Sequence, residues 1–282
     1  MKESISKHTW EEAVFWLKNQ PDKATFVKDC YYDDPIVEAA ERFYQSPEYV
    51  AIKDLLPNLK GKKILEIGAG RGIVSYAFAK DGAEVYALEP DKSSLVGFSA
   101  LQELIQTSGV VFNIVSEWGE KLPFENEKFD IVFCRCVLHH AYDLHAMCKE
   151  IARVLKKGGI FLAEREHVLS KKEDLQIFLN NHPLHHLYGG ENAFLLAEYQ
   201  DALKNGGLAI QKTIAPFSHE INILPYGKHP KELAVAALNK IFPLSIAKKL
   251  AKITFIYEAY VAYINYKSQT PGRFYSFLCT KV

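Results

Sequence analysis

Three glycines at alternate positions, Gly68, Gly70 and Gly72, lie in the run LEIGAGRG (65–72), with Glu66 just ahead of them and Glu89 nineteen residues past Gly70. Glycines so spaced let the backbone turn sharply and let a ligand rest against it with no Cβ in the way. A carboxylate at Glu89, ending the next strand, can accept hydrogen bonds from both hydroxyls of an adenosine ribose. A dinucleotide-binding loop has the same layout, but two details tilt away from it. Ile73 stands where that fingerprint has its third glycine, and Glu66 suits a cationic ligand such as an amino acid ammonium better than a pyrophosphate. The second chemical signal is histidine: seven of the ten fall between residues 139 and 186. Imidazole titrates near neutral pH and is the natural base for a hydroxyl group.

The elements that must position these groups follow from the pattern around them. KKILEIGAG (62–70), AEVYALEPD (83–91), VVFNIVSEW (110–118), FDIVFCRC (129–136) and GIFLAEREH (159–167) are short apolar runs. Helical stretches at 73–82, 93–109 and 145–159 alternate with them, which means βαβ units and a parallel sheet. A helix over 191–205 stops at Gly206-Gly207, and strands are expected at 208–217 and 275–282. In open α/β sheets ligands sit beyond the carboxyl ends of the strands. The fourth strand therefore delivers Arg135, Cys136, His139 and His140 to the ligand edge, and the fifth delivers Glu164, Arg165, Glu166 and His167. The run HPLHHLYGGEN (182–192) faces them with His182, His185, His186, Tyr188 and Glu191.

Composition narrows the partners. With 282 residues, 34 basic and 34 acidic side chains, the chain has zero formal charge and no broad attraction to polyanions. Nucleic acid is not an expected partner. Cysteines 30, 134, 136, 148 and 279 are an odd set in a long chain, which argues for a reducing, cytoplasmic setting. The first twenty residues have no apolar run after a basic start, so no secretory signal is expected, nor is there a run long enough for a membrane span.

LEIGAGRG, ALEPD, GEKLPFENEKFDIVFCRCVLHH and IARVLKKGGIFLAE together resemble the class I S-adenosylmethionine-dependent methyltransferases, in the type-11-like group of small-molecule enzymes. The resemblance is close over 62–168. It implies a Rossmann-like, doubly wound α/β sheet of seven strands in the order 3-2-1-4-5-7-6, the last antiparallel, with S-adenosyl-L-methionine as cofactor. It places the methionine part on Gly68, Ala69, Gly70 and Gly72 with Glu66 near its amino group, the ribose on Glu89 beside Pro90, and the adenine near Ser116–Gly119. Cys134 and Arg135 complete the expected cofactor residues. An Asp common in the family four residues before L-P-F is Trp118 here, so either Glu117 takes its part or Trp118 packs on the adenine.

The same resemblance puts His139 and His140 next to a methyl acceptor, with His185, His186 and Tyr188 as the second choice for catalysis. The run CRCVLHH replaces the N/D-P-P-Y motif of nucleobase-amino methylators, so O- or C-methylation of a small or medium-sized metabolite is expected. An NAD(P)-dependent oxidoreductase and a non-catalytic cofactor-binding scaffold are the alternatives. His139, His140, Asp143 and His145, with Glu164 and His167, cluster in a way divalent ions accept. No H-E-x-x-H or paired C-x-x-C spacing accompanies them, so no metal is assigned.

The remaining segments divide the chain. Residues 1–60 form an aromatic helical cap containing Tyr31-Tyr32-Asp33-Asp34, the methyltransferase core spans 61–217 and 274–282, and 218–273 is a helical insertion between the last two strands. In the insertion, a helix over 244–267 bears an apolar stripe opposite Lys248, Lys249 and Lys252. The stripe suits a lid or a homodimer contact better than a lipid surface.

Overall fold

The computed structural model describes residues 8–223 and 229–282; residues 1–7 of the expected cap and 224–228 of the expected insertion lie outside them. Thr9 starts α1 (Trp10–Lys18) through a reciprocal cap with Glu12. Helices α2 (Ala24–Asp29), α3 (Ile36–Tyr44) and α4 (Pro47–Lys53) follow, the last capped by the Ser46 hydroxyl with proline in its first turn. Then come β1 (Lys63–Ile67), α5 (Ile73–Lys80), β2 (Glu84–Leu88), α6 (Phe98–Ser108), β3 (Asn113–Val115), β4 (Phe129–Arg135), α7 (Leu144–Val154) and β5 (Leu155–Leu169). The chain continues through α8 (Asp174–Asn181), α9 (His185–Tyr188), β6 (Phe194–Leu195), α10 (Leu196–Asn205), β7 (Leu208–Ile214), α11 (Pro230–Leu238), α12 (Leu244–Leu250), α13 (Thr254–Lys267) and β8 (Arg273–Lys281).

The sheet order is β3-β2-β1-β4-β5-β8-β7, parallel from β3 to β5, with β8 antiparallel to both its neighbours. This is the expected order with one strand more. β5 runs to Leu169, two residues beyond the expected end, and Phe194 and Leu195 pair in parallel with its last two residues as β6. That pairing satisfies backbone groups at the end of β5 and delays the start of the helix expected from 191. Between Ala163 and Glu166, β5 holds one residue more than the facing stretch of β8, and Arg165 adopts φ 58° there. The bulge is tied down by Arg165 N–H donating to Ser276 Oγ at 3.0 Å.

Successive residues of the central strands are buried on opposite faces. Ile64, Ile131, Phe133 and Leu162 pack with α3 to α6, and Leu65, Val132, Cys134, Phe161 and Ala163 pack with α7 and α10. The N-terminal helices form a smaller core in which Ala13, Leu17 and Val27 meet Leu184. That contact brings α1 and α2 over the strand ends. The helix expected over 244–267 is broken into α12 and α13 so that both pack against α11. Its apolar stripe is only partly covered: Ile246 and Ile253 are exposed, Leu250, Tyr257, Tyr260, Val261 and Ile264 are half-buried, and no residue of α13 is fully buried. Among the described residues no helix is long and apolar enough to cross a membrane.

Candidate functional site

A cavity of about 600 Å³ opens at the carboxyl ends of β1, β2, β4 and β5. Its walls combine the glycine loop, Glu66 and Glu89 with His139, His140, His167, His182 and Glu191, and the N-terminal segment contributes Trp10, Tyr31 and Tyr32. All three loop glycines have positive φ, and at two of them space excludes a side chain as well. Gly68 and Gly72 have φ of 67° and 78°, and an added Cβ would come within 2.6 Å of Val137 and 2.5 Å of Leu101. At Gly70 nothing approaches an added Cβ closer than 3.9 Å.

Glu89 is fastened to this loop: its Oε2 accepts from Gly70 N–H at 2.7 Å and its Oε1 from Asp91 N–H at 2.9 Å. Each oxygen keeps a second lone pair for a ligand. Burial pushes the Glu89 carboxyl up to about 7 despite those two donors. Burial likewise pushes Glu66 up to about 8; its partner is the Ser75 hydroxyl on α5. Pro90 and Ala69 line the same wall, and Trp118, 65% exposed, stands at its rim. Glu117 does not reach the wall, because its carboxylate folds back to accept Trp118 N–H at 3.0 Å.

The two remaining expected cofactor residues differ in placement. Cys134 is fully buried on the α7 side of the sheet, its thiol 3.8 Å from Glu166 Oε1, and it does not line the cavity. Arg135 does line it, with its guanidinium 2.8 Å from Glu48. Glu48 is 1% exposed and also lies 2.8 Å from Arg165 Nη1, with Tyr31 donating to it at 3.3 Å. Glu164 joins this buried ion cluster, 3.9 Å from Arg135 and 3.6 Å from Arg165.

The bulge in β5 sends Glu166 the other way. Its carboxylate accepts from the N–H groups of Val137, Leu138 and His139 at 3.0–3.1 Å, and from His139 Nδ1 at 2.8 Å. Burial raises the carboxyl, but the His139 ring and these donors hold it below its ordinary value. Burial pulls His139 down, yet its hydrogen bond to Glu166 and the nearby Glu191 carboxylate lift it to about 9. Burial and the adjacent His139 lower His140 to about 4; its Nδ1 donates to Gly190 O at 3.1 Å. His167 Nδ1 donates to Gly272 O at 2.7 Å.

Of the second-choice residues, Tyr188 acts at one remove: its hydroxyl donates to Glu191 Oε1 and its ring packs on Trp10 at 4.6 Å. His185 and His186 on α9 lie off the cavity wall, and His186 Nε2 faces Asn180 O at 2.9 Å. His167, His182 and Glu191 take the places those two were expected to fill. Two side chains had no motif to mark them as functional. Glu48 shares the buried face of α4 with Ala51 and Ile52, a spacing that could have flagged it. Arg71 sits within the glycine loop, 6% exposed, and donates to Tyr31 O at 3.0 Å, Asp33 O at 2.8 Å and the Asp34 carboxylate. It thereby latches the N-terminal segment onto the loop.

Against this geometry, residues 65–163 match the family described as methyltransferase domain. They are a class I methyltransferase domain. Within that class they belong to the type-11 group. The chain is 32% identical over 127 residues to the uncharacterized methyltransferase YcgJ of Bacillus subtilis, covering 42% of this chain and 46% of that one. It is 27% identical over 177 residues to the ubiquinone biosynthesis O-methyltransferase of Rhizobium leguminosarum, covering 63% and 64%. The chain thus spans less than two thirds of these curated relatives' own lengths. A geranyl diphosphate methyltransferase, solved with GPP and sinefungin, shares the fold at a TM-score of 0.58 and 17% identity, over 89% of this chain and 83% of that one.

Proposed function

We propose that the chain transfers a methyl group from S-adenosyl-L-methionine to an oxygen or carbon of a small or medium-sized metabolite. The observation that carries this reading is the single cavity shared by the glycine loop and the histidine–glutamate cluster. Its volume lies in the range of small-molecule sites. The residues present fit the cofactor: Glu66 and Glu89 are buried carboxylates on the wall whose charge the protein leaves poorly compensated. A ligand bringing an ammonium to Glu66 and two hydroxyls to Glu89 supplies what they lack. When bound, the sulfonium cofactor supplies an electrophilic methyl group.

The chain's own part is then to position and to exclude water. Gly68, Gly70 and Gly72 give the cofactor a surface without side chains, and Trp10, Tyr31 and Tyr32 cover it from the N-terminal side. Methyl transfer is an in-line displacement, so much of its rate comes from holding the acceptor in line. His140, His182 and Glu191 face the cavity where an acceptor would lie. Cap, core and insertion are read as divided at 1–60, 61–217 with 274–282, and 218–273. Among the described residues none of the insertion lines the cavity, which favours a contact surface between copies over a lid. None of the described cysteines forms a disulfide, in keeping with a reducing cytoplasmic setting.

Calorimetry with S-adenosylhomocysteine and with NAD tests the reading. Binding of the former and silence with the latter is expected; NAD binding alone overturns it in favour of an oxidoreductase. A metabolite screen with labelled methyl donor then separates enzyme from scaffold, since a scaffold labels nothing.

A further inference from the structure

His139, His167 and Glu191 each offer one donor atom, and these atoms all lie within 4.8 Å of one another. We propose that they form a binding site for a divalent transition-metal ion on the acceptor side of the cavity. Four observations lead there.

The tautomers are fixed in the right sense. The Nδ1 atoms of His140 and His167 face backbone carbonyls, which only accept, so each carries its proton on Nδ1 when neutral. His139 Nδ1 faces the Glu166 carboxylate in the same way. In the neutral rings Nε2 is then a lone pair, and His139, lifted to about 9, gives up its Nε2 proton when an ion binds. A ring that gives one N–H to a carboxylate or carbonyl and turns its other nitrogen inward is the usual arrangement around a bound metal.

The carboxylate is divided in the same manner. Tyr188 donates to Glu191 Oε1, while Oε2 is buried with no hydrogen bond. That unpartnered oxygen is the one aimed at the rings, 3.6 Å from His139 Nε2 and 3.9 Å from His140 Nε2. The Glu191 side chain is only 4% exposed, so water does not readily take up the spare lone pairs.

The spacing is wrong for a hydrogen bond and right for two ligands of one ion. Nitrogen and oxygen at 3.6 Å exceed the hydrogen-bond range. Two ligands each roughly 2.1 Å from a tetrahedral centre stand about 3.4 Å apart. Two imidazoles and one carboxylate suit Zn²⁺, Fe²⁺ or Co²⁺.

The site is also placed for use. His139, His167 and Glu191 all line the cavity, so an ion held by three protein donors keeps a position open toward it. On the methyltransferase reading above, that position takes an oxygen of the acceptor and orients it; the ion's binding does not depend on that reading. The sequence obscured the site because its ligands come from the turn after β4, the end of β5 and the loop after α9. Of the other residues clustered with them in sequence, Asp143 caps α7, His145 is exposed and Glu164 belongs to the ion cluster with Arg165.

The test uses the full chain, stripped with chelator and titrated with Co²⁺, read by visible absorption and by metal analysis after dialysis. One ion per chain with the absorption bands of a low-coordinate site is expected. Glu191→Gln and His167→Gln should each weaken binding at least a hundredfold, while His186→Ala binds as the parent does. S-adenosylhomocysteine binding to the same variants reports whether they fold and keeps the donor site separate. Failure of Co²⁺ to bind the parent chain, equal binding by Glu191→Gln, or loss through His186→Ala would each overturn the site. If the homologue binds and the metal does not, only this inference falls; if the metal binds and the homologue does not, the cofactor reading falls instead.

Discussion

Glu66 and Glu89 line one end of the cavity and Glu191 the other, with Glu166 behind that end against His139, and all four are buried to a similar degree. Burial alone raises a carboxyl, and at the glycine-loop end it wins: Glu66 and Glu89 are pushed up to about 8 and about 7. At the histidine end the same burial is outweighed. Glu166 is held down by the His139 ring and the N–H groups of the turn, and Glu191 by His139, His140 and His182. The glycine-loop end is electrostatically unfinished and awaits donors from a ligand. The histidine end is compensated from within the chain. Four side chains of one type, equally buried, thus separate into two classes by partner alone.

The sharpest way to break that contrast is to remove the compensation. Glu166→Ala deprives three backbone N–H groups and one imidazole of their acceptor. A cost of about 3–5 kcal/mol is expected, the figure for stranding a buried partner. Thermal or urea unfolding measures it, and a loss below 1 kcal/mol would show that the end is not held together this way.

The second test concerns pH. Glu66 and Glu89 hold their protons more tightly folded than unfolded, so between about pH 5 and 8 the folded chain binds more protons. Their contribution to stability without ligand must then fall as pH rises through that window, by on the order of 6 kcal/mol for the two together. Glu66→Gln should flatten the slope, and saturating S-adenosylhomocysteine should reduce it. A melting temperature that climbs from pH 5 to 8 contradicts the assignment.

A smaller effect is expected on binding. Glu89→Ala should weaken S-adenosylhomocysteine by about 10–100-fold, corresponding to about 1.5–3 kcal/mol for hydrogen bonds to a charged group, with little loss of fold. Calorimetry decides, and unchanged affinity would remove Glu89 from the ligand site. Least of all is His186→Ala, off the cavity wall and bonded to Asn180 O. It should shift stability by less than about 0.5 kcal/mol and leave turnover unchanged; a tenfold fall in rate would restore α9 to the catalytic machinery.

The two ends also differ in how far residue order reveals them. The glycine-loop end depends on backbone geometry within a few residues. Positive φ at Gly68, Gly70 and Gly72 demands a particular residue type, so its trace is local and dense. The strands followed from local alternation of apolar runs and helices, apart from β6, whose two residues are too few to show a period, and their order followed from the family resemblance. The histidine end depends on convergence across the fold: His139 meets Glu166 across 27 residues, and His167 meets Gly272 across 105. Residue types pointed to the neighbourhood but not to the partners, so they favoured His185 and His186 over His167 and His182, which line the cavity. Arg71 and Glu48 were hidden for a related reason: a charged side chain reads as solvated until the fold supplies buried acceptors or cations. The break at 251–253 carries no proline or glycine, and it is set by the packing of both helices on α11.

One extra residue in β5 has a consequence for how the chain can tolerate change. Strands keep a two-beat rhythm, and the insertion at Arg165 makes β5 skip a beat midway along its length. Upstream, the rhythm sets which residues meet the α7 side; downstream, it determines that Glu166 reaches the turn after β4 and His167 reaches the cavity. Deleting a single residue there would restore an even count and swap the facing of everything from Glu166 onward. Such a chain would keep every histidine, yet bring neither the Glu166 carboxylate to the turn after β4 nor the His167 imidazole to the cavity.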